Sequence, residues 1–185
     1  TAQVVECLCD QERTLNMLDI DDQVRRVWNP DVRPLIAEAW RCFGIGAYRA
    51  TITLTWLAVC EDLTEKIIRL ADDGDGIAVA AKSTIESARS AGLTTPGIKA
   101  MQDLERSLLT TAVALELVDT ITSRELERLR EDRHLCVHPS LRGEVYEPRA
   151  ESAREHLAAA LGGLLTVPAT QGRKVVDRFT RHVAD

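Results

Sequence analysis

The sequence predicts an all-α fold, a helical bundle, on three observations. Alanine, leucine, glutamate and arginine dominate the composition, and these residue types favour helix. Apolar residues recur at three- and four-residue steps in most segments, which is the spacing of one helix face. Short segments containing glycine or proline separate these stretches. With 185 residues, 45% of them hydrophobic, the chain is long enough to bury one sizeable core.

The first part of the chain divides into three predicted helices. Residues 1–29 are partly polar and are predicted to be helical up to Pro30. A second helix is expected to begin at Pro34, because proline suits the first turn, and to end near Gly44. The third covers residues 47–70, where length and spacing favour helix over the strand-like alternation of its threonines. Its predicted core positions are Ile52, Trp56, Val59, Leu63, Ile67 and Leu70.

An acidic, glycine-containing segment at residues 72–76 interrupts the helical pattern. We interpret it as a solvated turn, because Thr84 stands where a calcium-binding loop requires a bidentate glutamate. Further helices are predicted up to Ser90 and, after a loop, from Ile98 to Val118.

The last part of the chain begins with a helix-start signal. Thr122 is followed three residues later by Glu125, which is the pattern of a capping box, so a helix is predicted from Thr122 up to Pro139. Residues 140–149 are expected to form a loop. Two more helices are predicted over residues 151–167 and 172–185.

Bulk properties exclude several classes of function. The net charge of −6 excludes non-specific electrostatic binding of nucleic acid by the whole surface, so contact with RNA requires a local basic patch. No apolar run is long enough for a membrane span, and no membrane partner is expected. The five cysteines are odd in number and irregularly spaced, which predicts no disulfide framework and a cytoplasmic location.

The predicted helix before Pro139 places an arginine among apolar residues. On a helical wheel Arg133 falls in the middle of a stripe formed by Leu126, Leu129, Cys136 and Val137. A guanidinium on an apolar face needs a partner. Two interpretations stay open: an ion pair with a carboxylate on a neighbouring helix, or an arginine held in a cleft for phosphate.

Two histidines lie on another face of the same helix. His134 and His138 are four residues apart, but no third ligand has suitable spacing and Arg130 lies beside them, so no metal site is predicted. Arg133 and His138 are separated by about 140° on an ideal helix and do not converge. Distortion next to Pro139, or a second copy of the helix in a symmetric dimer, would bring them together.

These features in this order resemble the HEPN superfamily. The segment from Arg133 to His138 is similar to its signature, an arginine and a histidine a few residues apart near the end of a late helix. Residues 46–50, the apolar helix and residues 61–66 are similar to its early helix. The resemblance covers residues 34–165. It implies a helical, dimeric bundle that cleaves RNA without metal, through attack of the 2′-hydroxyl that leaves a 2′,3′-cyclic phosphate and a 5′-hydroxyl.

The resemblance also implies roles for individual residues. His138 would transfer protons, Arg133 would bind the scissile phosphate, and His134 would orient the site. Arg130 and Arg142 would hold the RNA backbone. No cofactor is implied. The expected partners are an RNA substrate, a second copy of the chain and a cognate antitoxin or fused sensor domain, as in toxins and in defence or stress effectors.

Two alternatives to catalysis remain. The chain could supply a non-catalytic HEPN-like domain that dimerises or binds RNA within a larger protein. It could also be a helical protein–protein module, in which case Arg133 would be ion-paired inside the monomer.

The expected domain organisation follows from the extent of the resemblance. Residues 1–30 are predicted to be an N-terminal helical extension, and residues 31–168 the HEPN-like helical domain. Residues 169–185 are predicted to be a C-terminal helical segment that leads into a further region. Because Thr1 is not preceded by an initiator methionine, we expect the chain to be part of a longer protein.

Overall fold

The computed structural model describes residues 20–138 and 146–169, and within these ranges its regular structure is helical throughout, without strands. The all-α prediction is therefore confirmed for the described residues. The elements are α1 (described over 20–25), α2 (Arg33–Gly44), α3 (Tyr48–Asp72), α4 (Gly76–Ser90), α5 (Thr95–Ala114), α6 (Thr120–Val137), α7 (Ala150–Ala160) and a π-helical turn (Leu161–Leu165). Arg142, the first 19 residues of the helix predicted over 1–29, and the helix predicted over 172–185 lie outside the described residues.

Helix α3 is the centre of the bundle. Its 25 residues pack against α2, α4, α5, α6 and α7. Of the predicted core series, Ile52, Trp56, Val59, Leu63 and Ile67 are buried, whereas Leu70 is only partly buried. The threonines of this helix do not make it a strand, because Thr55 Oγ1 donates to the carbonyl of Thr51 at 2.8 Å, within the preceding turn.

Side-chain caps start the next helices. In the acidic turn, Asp75 Oδ1 accepts hydrogen bonds from the backbone of Ile77 at 2.9 Å and of Ala78 at 3.1 Å, so it caps α4. The interpretation of this segment as a turn is confirmed. Thr94 caps α5 by accepting from the backbone of Gly97 at 3.2 Å.

The predicted boundary between α5 and α6 is wrong at both ends. Helix α5 ends at Ala114, because Glu116 adopts a left-handed conformation (φ 57°) that reverses the chain. Helix α6 begins at Thr120, and its cap is Asp119, whose Oδ1 accepts from the backbone of Thr122 at 2.7 Å. Aspartate caps as well as threonine does, so Thr122 lies within the first turn instead of starting it.

Helix α7 changes its winding before the end of the predicted helix. The α-helix stops at Ala160 and continues as the π-helical turn to Leu165. Gly163 of this turn faces the start of α6, and a Cβ added there would lie 2.4 Å from Thr122 Cγ2. The absence of a side chain at Gly163 therefore permits close packing of α6 on this turn.

The described part of the predicted N-terminal extension packs into the same core. Ile20, Val24 and Val27 are buried, and the backbone N–H of Trp28 donates to the carbonyl of Leu165 at 3.1 Å. Residues 20–28 thus join the π-helical turn and share the core of residues 31–168.

A buried ion pair lies beneath Trp28. Lys66 Nζ is 2.7 Å from Asp62 Oδ2 and also donates to the carbonyl of Leu164 at 2.7 Å. Trp28 Nε1 donates to Asp62 Oδ1 at 2.6 Å. Burial raises the pKa of Asp62 to about 6 and lowers the pKa of Lys66, although each charge opposes the effect on the other.

Candidate active site at the end of helix α6

Helix α6 buries a narrower face than its sequence predicts. Leu126, Leu129 and Cys136 are buried, whereas the side chain of Arg133 is 31% exposed and Val137 is 45% exposed. Arg133 keeps its predicted place on the helical wheel, between the buried Leu126 and Leu129, but its side chain is only partly buried. Val137, at the edge of the predicted stripe, is exposed.

Arg133 has a partner on helix α5. Its Nη1 is 3.5 Å from Glu105 Oε1, and Trp56 Nε1 donates to the same oxygen at 2.5 Å. The Glu105 side chain is 29% exposed, so solvent reaches both members of the pair. Of the two interpretations that the sequence left open, this chain shows the ion pair with a neighbouring helix.

The two histidines are in contact. The ring centroids of His134 and His138 are 4.9 Å apart with the planes tilted by 56°, and both residues are exposed. His138 ends α6, because its backbone N–H still donates to the carbonyl of His134 at 3.0 Å while its own φ of −123° leaves the helical region. The end of α6 thus presents two adjacent imidazoles to solvent.

Four basic residues near the end of this helix share one side. At about 100° per residue, Arg130, Arg133, His134 and His138 span an arc of about 140°, and we call these four residues the basic strip. Arg130 Nη1 donates to the carbonyl of Arg106 at 3.3 Å, so both guanidinium groups are directed towards α5. Among the described contacts, none joins Arg133 to His138.

Arg49, at the start of α3, holds the last turn of α6. Its Nη1 donates to the carbonyl of Cys136 at 3.2 Å, and its Nη2 donates to the carbonyl of Tyr146 at 2.8 Å. It therefore links the chain on both sides of residues 139–145. Sequence reasoning missed this role, and the available signal was an arginine at the start of the most apolar helix.

A second polar cluster anchors the opposite side of α6. Asp132 Oδ2 is 2.8 Å from His156 Nε2, and the hydroxyl of Tyr146 lies close to the same carboxylate. His156 is 8% exposed. Burial and the Asp132 carboxylate raise the pKa of the Tyr146 hydroxyl, so that hydroxyl stays protonated at neutral pH. This cluster was also missed, and it fixes α6 against α7.

Cys60 and Cys136, which lie near this end of α3 and α6, do not supply a nucleophile. Burial raises the pKa of Cys136 to about 11, against the opposing charge of Arg49. Burial, followed by the charge of Glu105, raises the pKa of the Cys60 thiol as well. Both thiols are therefore protonated at neutral pH.

Within the described ranges, no group of three or more His, Cys, Asp and Glu residues is arranged to hold a metal ion. No helix of these ranges is both long and apolar enough to cross a membrane. Compared with known proteins, the chain matches no protein-family model, no curated protein and no solved structure.

Proposed function

We propose that this chain is a metal-independent endoribonuclease with a composite site at a homodimer interface, as the HEPN resemblance implies. The observation that carries the proposal is the contact between the exposed imidazoles of His134 and His138, next to two arginines, in a chain of net charge −6. The resemblance makes a toxin or a defence or stress effector the proposed biological class.

The proposed reaction uses the groups of the basic strip. His138 removes the proton from the 2′-hydroxyl, and that oxygen forms a bond to phosphorus. The bond from phosphorus to the 5′-oxygen breaks, and this leaving oxygen takes a proton from a second imidazole. The products are a 2′,3′-cyclic phosphate and a 5′-hydroxyl. Imidazole suits both steps because it accepts and donates protons near neutral pH.

The arginines would bind the phosphate during this reaction. Arg133 would exchange its contact with Glu105 for the non-bridging phosphate oxygens, where negative charge builds up. Because both side chains of the pair are partly exposed and their separation is 3.5 Å, this exchange breaks a weak ion pair. Arg130 would contact the next phosphate along the strand.

A second copy of the chain would complete the site. Arg133 is directed to α5 while the two imidazoles point to solvent, so one chain does not place both on one phosphate. A two-fold axis close to Val137 would bring the strips of two chains together around one cleft. The 45% exposure of Val137, an apolar side chain within the strip, supports this position of the axis.

The test is cleavage of structured RNA in EDTA. Purified protein is expected to produce fragments with 2′,3′-cyclic phosphate ends, and His138→Ala is expected to abolish cleavage while leaving the thermal unfolding temperature unchanged. Arg128→Ala, an exposed arginine on another side of α6, is the matched control and should cleave normally. Cleavage that requires a divalent metal, or that survives in His138→Ala, would contradict the proposal.

The Arg133–Glu105 pair favours a second candidate function. An arginine that is ion-paired within the monomer is the arrangement expected of a helical protein–protein module without catalysis. In that case substitutions in the basic strip would change partner binding or stability and leave RNA unaffected.

A further inference from the structure

We propose that His134 and His138 form a two-ligand site for an exchangeable divalent transition-metal ion, and that this ion inhibits the RNA cleavage proposed above. The inhibition rests on the proposed function. The binding does not, because it depends only on the geometry and charge at the end of α6.

The two imidazoles are already placed for a shared ion. They lie one helical turn apart, and the hydrogen bond from the backbone of His138 to the carbonyl of His134 keeps that turn closed. Imidazole nitrogens bind zinc at about 2.0–2.1 Å, so two donors of one ion lie about 3 Å apart. With ring centroids 4.9 Å apart and tilted by 56°, rotation about the side-chain bonds brings two ring nitrogens to that separation. Exposure of both rings leaves the remaining coordination positions to water.

The charges around the two imidazoles favour the binding of a cation more than the sequence alone indicates. Arg130 donates to the carbonyl of Arg106 and Arg133 is ion-paired with Glu105, both on α5, so their guanidinium groups are directed away from the imidazoles. Glu127 and Glu131 are exposed and precede His134 by seven and three residues, which places both on the helix face of the histidines. The face that carries the imidazoles therefore combines their nitrogen donors with two nearby negative charges.

The donor set defines the class of ion and the kind of binding. Imidazole nitrogens bind copper, nickel and zinc, and among these ions copper is expected to bind most tightly. Magnesium and calcium require oxygen ligands and are not expected to bind here. Because no third described residue is positioned as a ligand, the ion keeps several waters and exchanges readily. A bound ion occupies the nitrogen lone pairs that proton transfer needs, which is why cleavage stops.

Calorimetric titration tests the binding without RNA. The full chain, free of any polyhistidine tag and stripped with EDTA, is titrated with Ni²⁺ and separately with Mg²⁺. We expect one Ni²⁺ per chain, no binding of Mg²⁺, and a loss of affinity of about tenfold or more in both His134→Gln and His138→Gln. A double variant, Cys7→Ser with Cys9→Ser, removes the other closely spaced metal-binding side chains of the sequence and should bind Ni²⁺ as the unsubstituted chain does.

Two further variants test whether the nearby negative charge contributes to Ni²⁺ binding. Glu131→Gln is expected to lower the Ni²⁺ affinity severalfold through the loss of local charge, and Glu151→Gln on α7 should leave it unchanged. Binding that persists in both histidine variants, equal binding of Mg²⁺, or one ion per two chains would overturn the site.

The inhibition has its own measurement. Ni²⁺ is expected to stop RNA cleavage, and EDTA is expected to restore it. Cleavage that continues at saturating Ni²⁺ would overturn the inhibition. If the chain cleaves no RNA in EDTA, the proposed function fails, whereas the calorimetric result still decides the metal site.

Discussion

Arg49 donates to the carbonyl of Cys136, 87 residues later in the chain, and its other terminal nitrogen donates to the carbonyl of Tyr146. Cys136 lies in the last turn of α6, two residues before His138. One side chain from the start of α3 therefore sets the direction in which the chain leaves α6 and the position from which the His138 ring projects.

Replacing Arg49 with glutamine should weaken both the fold and the site. Two carbonyls lose their donors, and leaving partly buried carbonyls unpaired costs about 1–3 kcal/mol of unfolding free energy. Urea denaturation measures this loss, and cleavage is expected to fall more than RNA affinity does because His138 is misplaced. Arg26→Gln, which removes an exposed ion pair with Asp22, is the control and should change neither quantity. Normal cleavage by the Arg49 variant would contradict a positioning role.

Replacing Glu105 with glutamine separates the two candidate functions. The amide oxygen can still accept from Trp56, but the charge that holds Arg133 is removed. If Arg133 is a phosphate ligand, RNA affinity rises and the dependence of log affinity on log salt steepens by about 0.7, as expected for one more contact to a single strand. Fluorescence anisotropy at several salt concentrations measures both. Glu125→Gln, on the surface of α6, is the matched control. If Glu105→Gln lowers stability and leaves RNA affinity unchanged, the protein–protein module is favoured.

The buried pair of α3 predicts a pH-dependent stability. Lys66→Met leaves the Asp62 carboxylate buried without its counter-charge, and loss of one partner of such a pair costs about 3–5 kcal/mol at neutral pH. Burial raises the pKa of Asp62 to about 6 while Lys66 opposes the rise, so without Lys66 this pKa lies higher still above its unfolded value, and the folded variant gains the proton at a higher pH. The variant should therefore regain stability as the pH is lowered from 8 to 5 in urea denaturation.

The exposed pair between Lys82 and Asp72 provides the comparison for that experiment. Lys82→Met should leave stability nearly unchanged at either pH, because solvent screens the pair. A Lys66 variant that loses stability as the pH is lowered would show that Asp62 is not the group that responds.

Substitutions at the two neighbouring glycines of the π-helical turn should have different effects on the free energy of unfolding. Gly163→Ala places a Cβ 2.4 Å from Thr122 Cγ2 and should lower the unfolding free energy by about 1–3 kcal/mol, as overpacking does. Gly162→Ala meets no atom within 4 Å and should be neutral or slightly stabilising. Adding Thr122→Ser to Gly163→Ala removes the clashing methyl group and should recover part of the loss. Thermal unfolding of the four proteins measures the effect, and equal stability of the two glycine variants would contradict it.

The sequence predicted those parts of the fold that repeat along a helix. The core positions of α3, from Ile52 to Ile67, follow from their spacing alone because one helix face must be buried. The start of α6 did not follow, since Asp119 and Thr122 are both good caps and only the fold decides between them.

Only part of the candidate site could be predicted from the sequence. The contact between His134 and His138 follows from their four-residue spacing and is present. The partner of Arg133 and the role of Arg49 depend on how α5 and α3 pack against α6. Such contacts join residues far apart in the chain, and no local pattern specifies them.

The hydrogen bond between Trp28 and Leu165 has a consequence for synthesis. A ribosome makes Trp28 early, but the carbonyl it binds is added only after α7 has been translated. The backbone N–H of Trp28 therefore lacks this acceptor until nearly the whole bundle has emerged, and the Lys66 ammonium waits for the carbonyl of Leu164 in the same segment. Closure of this end of the protein is then a late event in folding, and in chains stalled before Leu164 the backbone N–H of Trp28 should exchange rapidly with deuterium.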